Sequence, residues 1–498
     1  MAIDAADSDD GTLQDQCPEP VFEQRMLPGR RDRLLAFAAL LLACSVLLGH
    51  ASLIFGGRWD GDEFNIFAYY RDAGLQFLFF SMLHWETRPL SEIVLYLYAA
   101  LANWAHAPLI TPFLATVWAL LAGSAVAVFW RRDSPTFLYR LSFGFCLATM
   151  FLLGHPIDDM FFWLMGGSPY VVALAALVVA TFQILDGASR RGTGRWIASL
   201  SLSIAVLSVE GGMFVALGFT VVLGILQLAG ISSVGWPRVA RAGWYLIPLA
   251  LSLGVLGCAA YFRLGESTQG VGPTDYYFHH LWRSMAATLE TLPGELLWNG
   301  PSFLVSLPLK VLLLIGFVCF WRCLPGPAPC RSHIVALAAG LMIGIVLAVL
   351  ASYYQYGTWG FGRHRTFIQC LLVLLLVAIA RVLAGTSLIP VRIAGTLGPS
   401  CLIAAMALGL VTRLPGLIND HALLHDVRAA RFQTWASGHG PGPTMRFVLP
   451  PHGEVLEGMV FQTGHFTAAG DGVPWYVPGV LRYFHKSNVD IVQYGDNR

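Results

Sequence analysis

Lysine is almost missing from this chain. Only Lys310 and Lys486 are lysines among 498 residues, and the remaining basic residues are arginines. The arginines are spread along the chain rather than gathered in a polybasic arm, and the formal net charge is +1. Because a nucleic-acid partner requires a basic stripe or patch, the sequence excludes one.

Charge of either sign is scarce as well. Charged residues make up 12% of the chain, hydrophobic residues 56%, and the mean hydropathy is +0.62. Soluble domains carry roughly twice that charge, at about 25%, so the composition indicates a polytopic membrane protein. Residues 1–33 are polar and acidic, which predicts a disordered cytoplasmic tail. The apolar run that follows exceeds a signal-peptide core and has no cleavage site after it, so we expect an uncleaved first span.

Zinc-ligand patterns and internal repeats are also lacking. Most of the nine cysteines lie inside apolar runs, where a thiol behaves as a small hydrophobe. Cys323 and Cys330 flank a Pro-rich loop with no histidine at ligand spacing, so no zinc site is expected there. Without a repeat, the inverted-repeat signature of secondary transporters is missing.

Long apolar runs dominate what is present. Eleven of them are long enough to cross about 30 Å of hydrocarbon. They lie at 34–55, 109–130, 137–154, 169–186, 195–209, 211–230, 243–262, 302–321, 333–352, 366–384 and 391–411. The predicted fold class is therefore an all-α polytopic membrane protein with about eleven transmembrane helices.

The segment 88–105 is apolar too, but it contains Glu92 and begins with Pro89 in its first turn. The arginines before residue 34 place the N-terminus in the cytoplasm. Five later loops are also basic, at 131–140, 190–195, 238–241, 322–331 and 381–392. All five share the cytoplasmic side only if 88–105 lies along the interface, so we predict a juxtamembrane helix there.

This topology makes residues 56–108 one extracytoplasmic unit. The other predicted outer segments are 155–168, the turn near Glu210, 263–301 and 353–365. Residues 412–498 are rich in Gly, Pro and His and include the strand-like stretches MRFVLP and DIVQYG. We therefore expect a transmembrane domain over 34–411 and a small extracytoplasmic C-terminal region over 412–498.

Three carboxylates follow the first predicted span directly: Asp60, Asp62 and Glu63. A solvated loop turn is one interpretation. Aromatic residues on both sides, however, favour a loop held at the bilayer surface, where an amphiphilic substrate would meet it. An aspartate in such a loop can take the proton from an attacking hydroxyl or amine.

Further along the same loop lie His84, Glu86 and Arg88. The planar guanidinium of Arg88 matches two phosphate oxygens. We therefore predict that these three residues bind substrate or assist catalysis.

One succession of features covers residues 34–130: a span, an acidic pair with aromatics, and a basic residue before a proline that opens an interfacial helix. Its residues are Asp62, Glu63, Phe64 and Tyr69, then Glu86, Thr87, Arg88, Pro89 and Leu90. This succession resembles the GT-C superfamily of integral-membrane glycosyltransferases, such as the aminoarabinose transferase that modifies lipid A and the protein mannosyltransferases.

The resemblance implies an inverting transfer from a polyprenyl-phosphate sugar. It implies Asp62 as general base, Arg88 beside the donor phosphate, and Glu86 orienting Arg88 or the acceptor. This chain departs from the family in having Asp60 as an extra carboxylate, an arginine where lysine is common, and Thr87 before it. The base therefore stays open between Asp60 and Asp62.

The second predicted outer loop contains His155, Asp158 and Asp159. With Asp62 they suit Mg²⁺ or Mn²⁺, so a divalent-metal site from Asp62, His155 and Asp158 is one hypothesis. The alternative is that Asp158 caps or terminates a helix and that Trp163 belongs to the interfacial aromatic belt.

Glu210 lies between two apolar runs, where a lone carboxylate is costly and therefore a functional candidate. Gly211 and Gly212 after it favour the alternative of a tight surface turn.

Tyr354 precedes a cluster of Arg363, His364 and Arg365 at the start of a predicted span. These arginines lie on the side that positive-inside statistics disfavour, which indicates phosphate or pyrophosphate binding at a helix start.

The leading hypothesis is a glycosyltransferase of a bacterial inner membrane that modifies a cell-envelope lipid, glycan or protein. Alternatives are a transporter or flippase of lipid-linked saccharides and a polysaccharide polymerase or ligase. Ionisable residues concentrate in the predicted outer loops rather than mid-membrane, which favours surface chemistry. The sequence leaves the sugar, the acceptor, the metal requirement and the oligomeric state open.

Overall fold

Helices dominate the computed structural model of this chain. It describes residues 29–59, 61–129, 136–153, 157–187, 192–229, 243–263, 279–298, 303–324, 330–386, 388–456, 462–467 and 473–495. The all-α class is confirmed, with one small sheet near the C-terminus.

The α-helices are α1 Arg30–Ala51, α2 Gly61–Ala73, α3 Leu75–Phe80, α4 Pro89–Ala105, α5 Ile110–Ala127, α6 Phe137–Met150, α7 Asp158–Phe161, α8 Leu164–Gly166, α9 Val172–Leu185, α10 Gly192–Ser208, α11 Glu210–Leu228, α12 Leu246–Arg263, α13 Leu281–Pro293, α14 Phe303–Cys323, α15 Arg331–Tyr356, α16 Gly362–Thr386, α17 Val391–His439 and α18 Val477–Phe484. A 3-10 turn extends α1 to Gly56, and π-helical turns follow α3, α8 and α13.

Nine helical segments of the described residues are long and apolar enough to cross a membrane, so the polytopic membrane class is confirmed. Two other predicted spans, 137–154 and 195–209, correspond to α6 with 14 residues and α10 with 17. At 1.5 Å per residue, α6 covers about 21 Å, which is less than about 30 Å of hydrocarbon. The count of eleven spans stays a prediction.

Helix α4 coincides closely with the predicted juxtamembrane helix 88–105. Pro89 occupies its first turn, where the missing N–H costs nothing. Leu97, Leu101 and Trp104 form an exposed apolar face, whereas Glu92 is buried. An apolar face turned away from the protein suits contact with lipid.

Small residues let α15 approach α11 closely. A Cβ on Gly340 would lie 2.6 Å from the backbone nitrogen of Phe219, and a Cβ on Gly344 would collide with Val215. Glycines four residues apart form the small-residue seam typical of membrane helix pairs. This seam fixes the two helices that form the walls of the cavity described below.

The last predicted span, 391–411, continues as a single helix of 49 residues to His439. Such a helix is about 73 Å long. The predicted domain boundary at residue 411 falls inside this helix, and the division into two domains stays a prediction. Pro399 and Pro415 lie within the helix, where each removes one backbone hydrogen bond without ending it.

The strand-like stretches MRFVLP and DIVQYG form β1 (Thr444–Leu449) and β3 (Asn488–Gln493). The sheet order is β1-β3-β2, with β2 at Gly464–Thr467; β3 pairs parallel with β1 and antiparallel with β2. β1 packs on α17, and α18 packs on α2. The C-terminal region therefore rests on the long helix and on the predicted first outer loop.

Candidate functional site

Arg88, the residue before α4, is 5% exposed and lies between two carboxylates. Its Nε donates to Glu210 Oε2 at 2.7 Å, and its Nη1 donates to Glu86 Oε2 at 2.8 Å. Burial by itself lowers the pKa of an arginine, but the charges of Glu210 and Glu86 raise the pKa of Arg88 well above its usual value. The guanidinium therefore remains charged, and the structure joins Glu210 to the pair of Glu86 and Arg88, from which the sequence analysis had kept it separate.

These residues border a cavity of about 60 Å³ at the ends of α11, α15 and α16. Its polar lining includes Arg88, Glu210, Tyr170, Gln355, Tyr356 and His364, and its apolar lining includes Val209, Phe214, Ala348 and Phe367. The volume suits a few water molecules or one polar group of similar size.

Two polar atoms at this cavity lack partners. The hydroxyl of Tyr170 and Nδ1 of His364 are buried without a hydrogen-bond partner in the described part of the chain. The ring of Tyr170 also lies 5.7 Å from the guanidinium of Arg88. Because buried polar atoms are normally hydrogen-bonded, a polar ligand in the cavity is the natural partner for both.

Arg363 and Arg365 flank His364 and stack on aromatic rings. The guanidinium of Arg363 lies 5.2 Å from the centroid of Trp163, and that of Arg365 lies 5.7 Å from the centroid of Trp359. Within the ranges that the structure covers, neither makes an ion pair with a carboxylate. Their N–H donors therefore suit an anion.

Trp163 lies where three predicted outer loops meet. It is 1% exposed, and its indole N–H donates to the buried carboxylate of Glu63. Arg58 and Arg363 both lie 5.2 Å from its ring centroid. The alternative assignment of Trp163 to an interfacial belt is wrong because the ring is enclosed by charged groups.

Arg58 is a site residue that sequence reasoning missed. It is 3% exposed and pairs with Asp158 at 2.8 Å and Asp159 at 3.1 Å. A signal existed: an arginine at the predicted outer end of a span violates the positive-inside tendency, as Arg363 does. Asp158 also begins α7, as the helix-end alternative predicted.

The predicted metal site gains no support. Among the described residues, no group of three or more His, Cys, Asp or Glu could hold a metal ion. Asp158 is instead bound by Arg58. His155 lies outside the described residues, and so does Asp60.

Asp62 and Glu63 open α2 but differ in environment. Asp62 is half-buried and is not part of the lining of the cavity beside Arg88. Glu63 is fully buried and accepts a hydrogen bond from the indole N–H of Trp163, and its predicted catalytic role stays a prediction. Its bond fixes the start of α2 beside the ring on which Arg363 stacks.

Two predicted binding residues face elsewhere. The ring of His84 stacks on Phe80 with centroids 5.0 Å apart, and Tyr354 stacks on His279 at 5.2 Å. Neither His84 nor Tyr354 lines the cavity. Tyr356, two residues after Tyr354, is part of the lining.

Gly211 and Gly212 do not form a tight surface turn, which was the alternative interpretation of the segment around Glu210. Glu210 is the first residue of α11, and both glycines belong to the helix. A Cβ on Gly211 would lie 2.7 Å from the ring of Phe367, so the glycine keeps α16 close to the cavity.

Comparison with protein-family models, curated proteins and solved structures gives no match.

Proposed function

We propose that this protein is an inverting glycosyltransferase of the GT-C type that moves a sugar from a polyprenyl-phosphate donor to an extracytoplasmic acceptor of the cell envelope in a bacterial inner membrane. The acceptor is a lipid, a glycan or a protein. One observation supports the proposal most: the charged Arg88 and His364 line a cavity with an apolar wall, and the neighbours of His364 in sequence, Arg363 and Arg365, make no ion pair with a carboxylate among the residues that the structure describes.

This combination suits a lipid-linked phosphate. The donor carries an anionic phosphodiester directly attached to an apolar chain, so its site needs fixed cations beside an apolar surface. Arg88 lines the cavity, Arg363 and Arg365 lie next to its lining residue His364 in the sequence, and Phe214 and Ala348 belong to the apolar wall.

In the proposed reaction, an acceptor oxygen or nitrogen attacks the anomeric carbon and the bond between that carbon and the phosphate oxygen breaks. The acceptor proton passes to a carboxylate, and the polyprenyl phosphate leaves with one additional negative charge. A well-placed donor to such a developing charge is worth about 3 kcal/mol. Arg363 and Arg365 serve this purpose, because Arg88 is already held by Glu86 and Glu210.

We assign the general base to Asp62. Its neighbour Glu63 accepts a hydrogen bond from the indole N–H of Trp163, and Arg363 stacks on the same ring. The side chain of Trp163 therefore connects the start of α2 to one of the arginines that we propose for the phosphate. Asp60 remains the alternative base. Glu210 lines the cavity but is held by Arg88, which suits it to positioning that arginine.

The test uses the purified full-length chain in proteoliposomes with a panel of radiolabelled polyprenyl-phosphate sugars and envelope acceptors. We expect one donor to lose its sugar to an acceptor and to release polyprenyl phosphate. Asp62→Asn should lower that rate at least 100-fold, since general-base catalysis contributes about 10²–10⁴-fold. Asp490→Asn, a carboxylate on β3 paired with His465, is the matched control and should retain full activity.

Other outcomes would overturn the assignment. Transbilayer movement of the donor without release of polyprenyl phosphate would identify a carrier, and elongation from a lipid pyrophosphate would identify a polymerase or ligase. Full activity of Asp62→Asn, with no loss in the control, would remove Asp62 from the mechanism.

A further inference from the structure

Arg365 stacks on an aromatic ring that orients its side chain. Its guanidinium lies 5.7 Å from the ring centroid of Trp359, and its Nε is buried without a hydrogen-bond partner in the described part of the chain. A guanidinium that stacks on a ring uses its flat face and keeps the N–H groups in its plane available to an anion. The direction of these donors therefore depends on the orientation of Trp359.

A glutamate fixes that ring. The indole N–H of Trp359 donates to Oε1 of Glu295 at 2.8 Å. Trp359 lies in the loop between α15 and α16, whereas Glu295 lies in the π-helical turn Gly294–Trp298 that follows α13. Because a hydrogen bond to a carboxylate is stronger than one between neutral groups, Glu295 restricts the indole to one orientation.

The turn that contains Glu295 is also anchored through backbone atoms. The carbonyl oxygen of Glu295 accepts a hydrogen bond from Nε2 of Gln369 at 3.0 Å. The carbonyl oxygen of Leu296 accepts one from Nζ of Lys310 at 2.7 Å. Loss of the Glu295 carboxylate should therefore release the ring of Trp359 and leave the turn in place.

The same arrangement occurs a second time around Arg363. The guanidinium of Arg363 lies 5.2 Å from the ring centroid of Trp163, and the indole N–H of Trp163 donates to Glu63. Glu63 belongs to α2, so the two arrangements are built from different elements. Two copies, one on each sequence neighbour of His364, indicate that both arginines require an oriented ring.

We propose that Glu295 is a positioning residue for the donor phosphate: it orients Arg365 through the indole of Trp359, and the N–H groups of Arg365 bind the phosphate. This inference rests on the proposed function, because it concerns the same phosphate site. A carboxylate bonded directly to Arg365 would occupy donors that the phosphate needs, whereas a carboxylate on the far side of the ring leaves them available. A side chain that is already oriented also loses less conformational freedom when the ligand binds.

The test measures the affinities of purified full-length variants for a polyprenyl phosphate and for the polyprenol of the same length. We expect Glu295→Ala to lower the affinity for the phosphate roughly 10-fold, because binding must then order the guanidinium, and to leave the affinity for the polyprenol unchanged. Glu295→Gln should restore most of the phosphate affinity, since its amide oxygen accepts the same hydrogen bond. Glu290→Ala, at an exposed position on α13, is the matched control and should keep both wild-type affinities.

A second background separates positioning from a general loss of structure. In Arg365→Gln, the further change Glu295→Ala should cause no additional loss of phosphate affinity, because the residue on which Glu295 acts is gone. The same loss in the wild-type and Arg365→Gln backgrounds would overturn the proposal, and so would an equal loss of polyprenol binding in Glu295→Ala.

The measurements also separate this inference from the proposed function. A wild-type protein that binds both lipids equally would contradict the phosphate site, and the role of Glu295 would fall with it. A phosphate preference that Arg365→Gln lowers and Glu295→Ala leaves intact would contradict the role of Glu295 alone.

Discussion

At the scale of single residues, the geometry of the site explains why two of its cations are arginines rather than lysines. Arg58 binds two carboxylates and stacks on Trp163, and Arg88 binds two carboxylates and lies near the ring of Tyr170. A planar guanidinium can do both at once, whereas an ammonium is a compact point charge without a stacking face. The site as built therefore requires arginine at both positions.

A buried acid near Arg88 sets a pH dependence. Glu92 is 3% exposed and accepts hydrogen bonds from Tyr70 at 2.6 Å and Ser81 at 2.7 Å. Burial, and then the charge of Glu86, raise the pKa of Glu92 to about 7. Since the folded-state pKa lies above the unfolded value, the folded state binds the extra proton, and stability falls as pH rises from the unfolded pKa through 7.

We therefore expect the wild-type Tm to fall between about pH 5 and about pH 8 and the Tm of Glu92→Gln to change much less over that range. Thermal unfolding in detergent, followed by intrinsic fluorescence, measures both. Glu290→Gln, at an exposed position on α13, is the control and should keep the wild-type slope. Identical slopes for all three proteins would contradict the assignment of the proton to Glu92.

At the scale of elements, the C-terminal region holds the helix that begins with the proposed base. A Cβ on Gly479 of α18 would lie 2.7 Å from Cβ of Asn65, and a Cβ on Gly61 would collide with Tyr476. At the other end of α2, Arg482 pairs with Asp72 at 2.9 Å. Helices α2 and α18 therefore touch along their length with no room for a larger side chain.

A larger side chain at this contact should displace α2. We expect Gly479→Val to lower the rate of sugar transfer by roughly 100-fold, because a shift of about 1 Å at a catalytic group has an effect of that size. Gly123→Val on α5, where a Cβ meets no neighbouring atom, should leave the rate unchanged. Wild-type transfer by a folded Gly479→Val protein would show that α2 does not need this contact.

The elements also show what the sequence can predict. Apolar runs and strand composition are local properties, so the long spans, α4, β1 and β3 follow from them directly. The continuation of α17 to His439 accompanies packing against α1 and β1, and such long-range contacts are not visible in the apolar run that ends at residue 411. The pairing of Arg58 with Asp158 joins residues 100 positions apart, and no local pattern predicts which distant acid an arginine meets.

At the scale of the whole molecule, the arginines around the Arg88 cavity fall into two groups with different partners. Arg58 and Arg88 are buried, and each pairs with two carboxylates. Arg363 and Arg365 stack on aromatic rings, and in the part of the chain that the structure describes neither pairs with a carboxylate. The second group is therefore the one that we propose for the donor phosphate.

Binding of the donor phosphate by Arg363 and Arg365 can be measured directly. The measurement compares the affinity of the purified chain for a polyprenyl phosphate with that for the polyprenol of the same length. We predict that the phosphate form binds at least 10-fold tighter, since hydrogen bonds between charged groups contribute about 1.5–3 kcal/mol each, and that Arg363→Gln with Arg365→Gln removes this preference. Equal affinities for the two lipids, or an unchanged preference in the double variant, would show that Arg363 and Arg365 do not bind the phosphate.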